Sequence, residues 1–491
     1  MTNMMKRHRA IVIGAGIAGM FTAKVLSNFY QEIYIIERDE LPAHPSNRAG
    51  TPQAFHPHRV LPLGKKIIEQ LFPGYTEELL KMGGFNTKHQ TSRFITKDGE
   101  LHMTDTEETA VTRRALLEWV ISQRLLALPH VQFLTKHEAV SLLFGEDDLR
   151  VNGLLVKDRH HQPAKLKTLK ADLVVDTSGR MSKLQKWLLE RGLELPKPEI
   201  LKVSLGYSTR YYQIPPNARK TQAMVVLGQP DKQIPTGLFE LIDHNMAVVL
   251  LSAAGGTHYP TTEDDKFEQE IATLSHPAIA EAISHLIPCT PPKGFRVQFC
   301  MRQHYEQMPK WPSGLLVMGD AFCTLDPIHG QGMTKAALEA HTLEQMLKKS
   351  LKEPIENFEP TVMRHMQKAI EPGWWLCAIA DLQWNGVELT AHHPIPHIEF
   401  VQEYLNRYVQ HAILTNQPKL LEAYHSMHSF LKEPKEIINL EHLHDMIKRD
   451  ETGDTKQWWE AWKQKSKKTE EELIDEAVPD FQLKKIIKTY T

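Results

Sequence analysis

The chain has 491 residues, with 58 Lys and Arg against 60 Asp and Glu, so its formal net charge is −2. This length suggests two or three compact units, and 41% hydrophobic with 24% charged residues is typical of a globular protein, not a disordered or repetitive one. The balanced charge provides no overall basic field, so we expect no nucleic-acid partner. Four widely spaced cysteines, and apolar runs well short of the ~20 residues that cross a bilayer, predict a cytoplasmic protein without a spanning helix.

The first predicted elements are a strand, a glycine turn, a helix and a second strand. The apolar run at residues 10–13 predicts a buried parallel strand. A helix follows, with an apolar face that includes Ile17, Met20 and Val25. Residues 33–36 predict the next strand, so the segment forms a βαβ unit.

The glycine turn has the pattern of a dinucleotide-binding site. In Gly14-x-Gly16-x-x-Gly19, which also contains Ala18, the glycines permit a sharp turn and the close approach of a pyrophosphate to a helix N-terminus. Glu37 ends the second strand, 18 residues after Gly19, where a carboxylate accepts hydrogen bonds from ribose hydroxyls. The motif predicts a bound dinucleotide but does not distinguish FAD from NAD.

A second pattern favours FAD. A buried strand at residues 315–318 leads into a loop and a helix, whose positive end is suited to an anionic reduced flavin at N1/O2. Asp320 is suited to hold a ribityl hydroxyl. The candidate cofactor-contacting residues of this segment are Gly319, Asp320, Pro327, Gly330, Gly332 and Met333.

These motifs resemble the FAD-dependent monooxygenases of the p-hydroxybenzoate hydroxylase class. The similarity covers roughly residues 8–350 and includes the central motif Asp176-Thr-Ser-Gly179-Arg180-x-Ser182. Within that class, Arg48-x-Gly50-x-Pro52-Gln53-x-x-His56-x-His58 resembles the subgroup of polyene epoxidases and 2-polyprenyl-6-methoxyphenol hydroxylase-like flavoproteins. The subgroup usually has Gly-Arg where this chain has Ala54-Phe55.

The resemblance and the element pattern together imply an α/β fold. We expect a Rossmann-like FAD-binding domain of the glutathione-reductase type, an inserted mixed-sheet substrate domain and a helical C-terminal region. The predicted boundaries are 1–198 and 297–369 for the two parts of the FAD-binding domain, 199–296 for the substrate domain, and 370–491 for the helical region.

The resemblance also implies FAD as cofactor and NADPH or NADH as transient reductant. It adds six residues to the candidate cofactor site: Arg38, Arg48, Gln53, Arg114, Asp176 and Gly179. Arg114 is expected near the FAD phosphates, although Arg113 competes for that role. In this family the central motif is Asp-Gly, whereas here Thr177 and Ser178 separate Asp176 from Gly179. Whether this turn contacts the nicotinamide is therefore left open.

In such a family the reduced flavin forms a C4a-hydroperoxide with dioxygen and passes one oxygen atom to the substrate as a hydroxyl or an epoxide. This reaction needs no dedicated acid–base pair, so no catalytic side chain is assigned. His56, His58 and His329 are candidates for tuning the flavin or orienting the substrate, because imidazole changes charge near neutral pH. No third ligand accompanies His56 and His58, so no metal site is predicted.

The expected substrate is a small hydrophobic organic molecule. Tyr207, Tyr211 and Phe239, from the predicted substrate sheet, are candidates for lining its pocket, although such residues in strands equally form ordinary core.

In the C-terminal region, Trp458, Trp459 and Trp462 fall at helical spacing and precede several lysines. They either dock onto the protein or lie on a membrane surface as a peripheral contact. We favour docking, because neighbouring glutamates weaken the attraction to anionic lipid.

Other functions remain open for this scaffold. A flavin-dependent reductase of prenyl-type double bonds needs no dioxygen, and a flavin-binding interaction protein needs no reductant. A halogenase is disfavoured because the chain contains no W-x-W-x-x-I-P motif. A separate reductase that supplies the electrons also remains open.

Overall fold

The structure is a computed structural model that describes residues 7–146, 149–218, 221–488 and 490. The strands, numbered in chain order, are β1 (Arg7–Ile13), β2 (Tyr30–Ile36), β3 (Phe85–Asn86), β4 (Thr91–Thr96), β5 (Gly99–Thr104), β6 (Ala110–Val111), β7 (Val131–Leu134), β8 (His137–Phe144), β9 (Val151–Asp158), β10 (Lys165–Lys170), β11 (Leu173–Asp176), β12 (Glu199–Lys202), β13 (Leu205–Gln213), β14 (Ala223–Val226), β15 (Thr236–Ile242), β16 (Met246–Ala253), β17 (Ile287–Pro288), β18 (Lys293–Val297), β19 (Cys300–Arg302), β20 (Leu315–Val317) and β21 (Glu388–Thr390).

The α-helices of the described chain are α1 (Ile17–Leu26), α2 (Pro62–Leu71), α3 (Tyr75–Lys81), α4 (Arg114–Leu126), α5 (Leu184–Glu190), α6 (Phe267–Ile271), α7 (Ala278–Ile283), α8 (Gly332–Ser350), α9 (Phe358–Asp381), α10 (Ile398–Leu414), α11 (Pro418–His428), α12 (Leu440–Arg449), α13 (Asp454–Ser466), α14 (Glu470–Ala477) and α15 (Leu483–Ile486).

The chain divides into two compact units. The first unit comprises the chain up to Lys81, Arg113–Glu199 and Cys300–Glu371. The second comprises Met82–Thr112, Ile200–Phe299 and the chain from Pro372 onward. The predicted boundaries group Met82–Thr112 with the FAD-binding domain. In the structure, β4 of this segment pairs with β5 to form a hairpin and with β14 of the second unit, and the segment belongs to that unit.

A parallel five-stranded sheet organises the first unit, in the order β20-β11-β1-β2-β7. Residues 10–13 of β1 and all four residues of β11 are buried, as expected for strands covered on both faces. The helices α1 and α8 contact each other in this unit. The predicted βαβ unit is confirmed, and β8, β9 and β10 form an antiparallel ribbon in the same unit.

A mixed sheet organises the second unit, in the order β17-β13-β16-β15-β14-β4-β5, with β18 also paired to β13. The pairing of β14 with β4 is parallel, whereas the other pairs are antiparallel. Apolar side chains of β13–β16 pack against Phe267 and Ile271 of α6 and Ile279 of α7. The structure therefore confirms an α/β chain with a parallel sheet, a mixed sheet and a helical C-terminal region.

The three residues predicted to line a substrate pocket do not share one face of this sheet. Phe239 is fully buried in the cluster that α6 and α7 cover, together with Tyr212. Tyr207 and Tyr211 lie at alternate positions of β13 and therefore point to the face opposite Tyr212. The expectation that Phe239 contacts substrate is thus not supported by its position, which is that of a core residue.

The C-terminal tryptophans pack within the helical region. The Trp458 ring stacks on Phe400, with ring centroids 5.5 Å apart and ring planes at 1°. Trp459 is 2% exposed, and Trp462 meets the same Phe400 ring edge-on. These contacts confirm docking onto the protein. Within the described residues, the helices include none that combines the length and apolar composition for crossing a bilayer.

Replacing Phe239 by Ala tests its role as core. We expect Phe239→Ala to lower the free energy of unfolding by about 3–5 kcal/mol, because it leaves a cavity under α6 and α7. The matched control is Phe299→Ala in the same unit, where the ring is 49% exposed and little stability should be lost. Urea denaturation measures both. Equal stabilities of the two variants would contradict the assignment.

Candidate functional site

Three turns meet at one edge of the parallel sheet. They follow β1, β11 and β20, which are neighbours in the sheet, so their carboxyl ends lie side by side. The Thr177 N–H donates to the Ile13 carbonyl at 3.0 Å, and the Met318 N–H donates to the Asp176 carbonyl at 2.9 Å. The predicted motifs at Gly14, Asp176 and Gly319 are therefore brought together, although they are distant in the sequence.

Glycine is required where these turns approach each other. Gly14 has φ +100°, and an added Cβ would lie 2.9 Å from the Thr177 carbonyl oxygen. At Gly19 a Cβ would lie 1.9 Å from the Gly14 oxygen, and at Gly319 it would lie 2.7 Å from the Ala18 Cβ. Ala18 therefore packs against the third turn instead of acting only as a spacer in the glycine motif.

Two other glycines border open space at the start of helices. Gly16 precedes α1, and Gly332 is the first residue of α8. A Cβ added to either would meet no described atom within 4 Å, and no described side chain caps either helix. The N–H groups at a helix start need acceptors and favour negative charge. We call the open space at these two helix starts the cradle, and its exposed N–H groups suit the phosphates and the anionic reduced ring of a flavin dinucleotide.

A buried ion pair that sequence analysis missed supports the third turn. Glu339 accepts a hydrogen bond from the Gly319 N–H at 2.6 Å and lies 3.3 Å from the Lys335 ammonium. Lys335 also donates to the Cys323 carbonyl at 2.6 Å. The side chains of Lys335 and Glu339 are both fully buried. Burial alone would lower the pKa of Lys335, but the carboxylates of Glu339 and Asp320 outweigh it and raise this pKa. Lys335 and Glu339 are four residues apart on a buried helix, and this spacing was the feature of the sequence that could have predicted the pair.

Asp320 itself extends from this turn toward solvent. Its side chain is 47% exposed, and one carboxylate oxygen lies 3.9 Å from the Lys335 ammonium. The following loop begins at Pro327, where the Asp326 carboxylate accepts from the Ile328 N–H at 2.9 Å, and it turns at Gly330 with φ +67°. His329 in this loop is partly buried, and Met333 is buried in α8.

Glu37 lies at the start of a buried chain of charges. Its carboxylate accepts from the Ala15 N–H at 2.9 Å and from Arg48 at 3.0 Å. Arg48 also bonds to Glu118 at 3.2 Å, and Arg114 bonds to Glu118 at 2.7 Å. Burial alone would raise the pKa of Glu118, but the Arg114 and Arg48 guanidiniums outweigh it and hold this pKa below its usual range.

The chain of charges ends at His58. Arg114 donates to the Nε2 atom of His58 at 3.1 Å, and the Nδ1 atom of His58 donates to the His56 carbonyl at 2.8 Å. Burial and the adjacent Arg114 charge lower the pKa of His58 to about 3. The expected change of charge near neutral pH is therefore wrong for His58, whose imidazole stays neutral there. His56 is buried, with its ring edge-on to Phe55.

The Asp176 carboxylate builds its own turn. It is 1% exposed and accepts from the Ser178 N–H at 2.9 Å and from the Ser178 hydroxyl at 2.6 Å. Ser182 donates to its second oxygen. Gly179 follows with φ +81° and open space around its Cα. The serines of the Asp176–Ser182 motif therefore fix the turn that packs against Gly14, and the Asp176 carboxylate is buried within that turn.

A cavity of about 400 Å³ opens beyond the end of β2. Arg38, Lys136 and Arg159 give it basic walls, and Asp39 and Glu40 add acidic groups. Arg48 also lines it. Gln53 is partly buried in a short 3-10 segment, Pro52–Phe55, within the adjoining irregular loop.

A family model described as "FAD binding domain" matches residues 7–356. The chain belongs to this family. A mycobacterial relative, Protein Rv3254 of Mycobacterium tuberculosis, is 28% identical over 391 residues, covering 77% of this chain and 81% of the relative. Squalene epoxidase 3 of Arabidopsis thaliana is 24% identical over 371 residues, covering 71% of this chain and 63% of that protein.

Among solved structures, the flavin-dependent brominase Bmp2 is similar, with a TM-score of 0.60 and 14% identity. The match covers 86% of this chain and 93% of the brominase, and it shows a shared fold. The family match supports FAD as the cofactor and a flavin-dependent oxidoreductase as the type of enzyme. The expected subgroup and the nicotinamide reductant remain predictions.

A substitution at Gly16 tests FAD binding without disturbing the fold. A Cβ at Gly16 meets open space, so Gly16→Val should keep the unfolding free energy of the FAD-free protein while a bulky side chain enters the cradle. We expect FAD affinity to fall at least about tenfold, which corresponds to ~1.4 kcal/mol. Flavin fluorescence titration and urea denaturation measure the two quantities.

The control for this experiment is Gly19→Ala, whose Cβ collides with the Gly14 backbone and should reduce both stability and FAD affinity. Unchanged FAD affinity in Gly16→Val would refute the cradle.

The low pKa of His58 predicts a stability change in acid. The folded state favours the neutral imidazole of His58. Its contribution to the free energy of unfolding is therefore complete above the unfolded-state pKa of about 6.5, and it is lost as the pH falls toward the folded-state pKa of about 3. Gln at this position retains an acceptor for Arg114 but does not titrate. We expect the free energy of unfolding of His58→Gln to fall less between pH 6.5 and 4 than that of wild type. Parallel pH curves from urea denaturation would contradict the assignment.

Proposed function

We propose that this protein is an FAD-dependent monooxygenase that inserts one oxygen atom from dioxygen into a hydrophobic organic substrate, by hydroxylation or epoxidation. NADPH or NADH is the proposed reductant. The observation that carries the proposal is the convergence of the three turns after β1, β11 and β20 around the open cradle at Gly16 and Gly332. The family match at residues 7–356 supports FAD as the occupant of that cradle.

Bound FAD supplies the chemistry, namely acceptance of a hydride and transfer of one oxygen atom from dioxygen. The residues of this chain bind and orient it. We assign the Gly14–Gly19 turn and the start of α1 to the pyrophosphate, Glu37 to a ribose hydroxyl and Asp320 to a ribityl hydroxyl. The start of α8 is assigned to stabilise negative charge on the reduced ring.

The proposed histidine roles differ from one another. His58 is neutral and bonded to Arg114, so it acts as a positioning residue within the buried charge chain. His329 lies in the loop between Pro327 and the start of α8, beside the proposed flavin head, and is the better candidate for contact with flavin or substrate. His56 is proposed to fix the irregular loop through its carbonyl bond to His58.

The proposed substrate class follows from two observations. Squalene epoxidase 3, by its name, acts on a long apolar alkene, and it matches 71% of this chain. In the second unit, the buried rings of Tyr207 and Tyr211 lie on the face of β13 opposite the α6–α7 cluster. We assign these two tyrosines, without Phe239, to the substrate pocket.

We expect purified protein to bind FAD, to show flavin reduction by NADPH or NADH under anaerobic conditions, and to place one atom of labelled dioxygen in its product. The assay uses a panel of prenyl alkenes and phenols, with mass spectrometry of the products. Asp320→Ala should weaken FAD retention because it removes the ribityl acceptor, whereas the exposed Asp231→Ala should not.

Each other outcome has a definite meaning. Protein unable to take up FAD would refute the proposal outright. Anaerobic reduction of a prenyl double bond would indicate a reductase, and a halogenated product would indicate the chemistry of the brominase that shares the fold. A further outcome is that dithionite reduces the bound FAD but NADPH and NADH do not. If the dithionite-reduced protein then forms labelled product with dioxygen, a separate reductase supplies the electrons. If it forms none, the chain is an interaction protein.

A further inference from the structure

Histidines and an aspartate gather at one end of the β8–β9–β10 ribbon. His137 begins β8 and is paired in register with Asp158, the last residue of β9. His160 and His161 follow in the connection to β10. Ligand atoms of His137, Asp158 and His160 all lie within 4.8 Å of one another. The cluster belongs entirely to the first unit, and the proposed oxygenation makes no use of it.

The spacing of the three grouped atoms suits three ligands of a tetrahedral metal ion. The two carboxylate oxygens of Asp158 lie 2.9 Å from His160 Nδ1 and 3.7 Å from His137 Nε2. His161 Nε2 lies 3.9 Å from Asp158 but outside that group, so its side chain must shift to supply the fourth ligand. Ligands about 2.1 Å from a tetrahedral zinc ion are ~3.4 Å apart, so the observed distances bracket the required ones.

The His137 ring is oriented as in a metal-binding histidine. Its Nδ1 atom lies 2.7 Å from the Thr135 carbonyl and donates to it, so Nε2, 3.7 Å from Asp158, is the ring nitrogen available to a metal ion. A second hydrogen bond of this kind commonly orients ligating imidazoles. The side chains of His137 and Asp158 are only 9% and 4% exposed, whereas those of His160 and His161 are about half exposed. The cluster therefore has a buried base and an accessible side.

We propose that His137, Asp158, His160 and His161 bind a divalent transition-metal ion of the zinc class. Imidazole and carboxylate ligands together suit Zn²⁺ better than Mg²⁺ or Ca²⁺, which prefer oxygen alone. The ion would cross-link the ends of β8 and β9. It would also fix β8 beside Glu37, whose carbonyl accepts from the His137 N–H at 2.9 Å.

Lys167 competes for this site. Its ammonium lies 2.6 Å from the Asp158 carboxylate, so the ion must displace it. The Lys167 side chain is 49% exposed and flexible, which allows it to move into water. Replacing Lys167 by an uncharged side chain removes both the competing contact and the repulsion of a second cation, and should tighten metal binding.

The test uses the full chain after removal of metal by a chelator. Zn²⁺ titration by calorimetry gives affinity and stoichiometry, and Co²⁺ gives the visible absorption of a tetrahedral site. We expect the double variant His160→Ala/His161→Ala to lose one equivalent of tight Zn²⁺ and the tetrahedral Co²⁺ spectrum. Because both side chains are half exposed, far-UV circular dichroism should remain that of wild type.

The control is His102→Ala, which removes a half-exposed histidine 3.4 Å from Glu100 and should leave the Zn²⁺ stoichiometry unchanged. Lys167→Met should bind Zn²⁺ more tightly than wild type. Equal Zn²⁺ stoichiometry and affinity in wild type and the double variant would overturn the site. Weaker or unchanged binding by Lys167→Met would overturn the displacement of Lys167.

Discussion

The close approach of backbone segments at the carboxyl edge of the parallel sheet is the constraint on which the first unit depends. Gly14, Gly19 and Gly319 each leave too little room for a Cβ, and the Thr177 hydroxyl donates to the Ile13 carbonyl at 2.7 Å between the first two turns. Neighbouring parallel strands end on the same side of a sheet, so these turns face one region. Such an edge is where open α/β sheets bind ligands. The location of the site therefore follows from topology.

Buried charges keep that edge in place. Glu339 accepts a hydrogen bond from the Gly319 N–H. Arg48 donates to the Ala15 carbonyl and forms ion pairs with Glu37 and Glu118. Removing one partner of a buried ion pair commonly costs about 3–5 kcal/mol, because an uncompensated charge stays behind. The ion-pair partners of Arg48 and Arg114 make both side chains part of this framework, and their contacts with FAD stay a prediction.

The sequence predicted most of the framework and fewer of the side-chain roles. The parallel sheet, α1 and α8 were predictable because apolar runs and glycine motifs are local patterns. The face of Phe239 was not predictable, because the strand Thr236–Ile242 has large apolar residues on both faces and its orientation depends on α6 and α7. The buried Lys335 contradicts the usual exposure of lysine. The neutral state of His58 depends on burial and on the charge of Arg114, which is 56 positions away.

The balance of charge at the site also indicates what can bind an anionic cofactor. Along the buried chain, Glu37 and Glu118 are matched by Arg48 and Arg114, and neutral His58 adds no charge. This set of side chains therefore carries no surplus positive charge for phosphate groups. The N–H groups at the starts of α1 and α8 do provide positive potential, and the space beside Gly16 and Gly332 leaves them accessible. Backbone geometry, more than the paired arginines, is thus the feature of this edge that suits a dinucleotide.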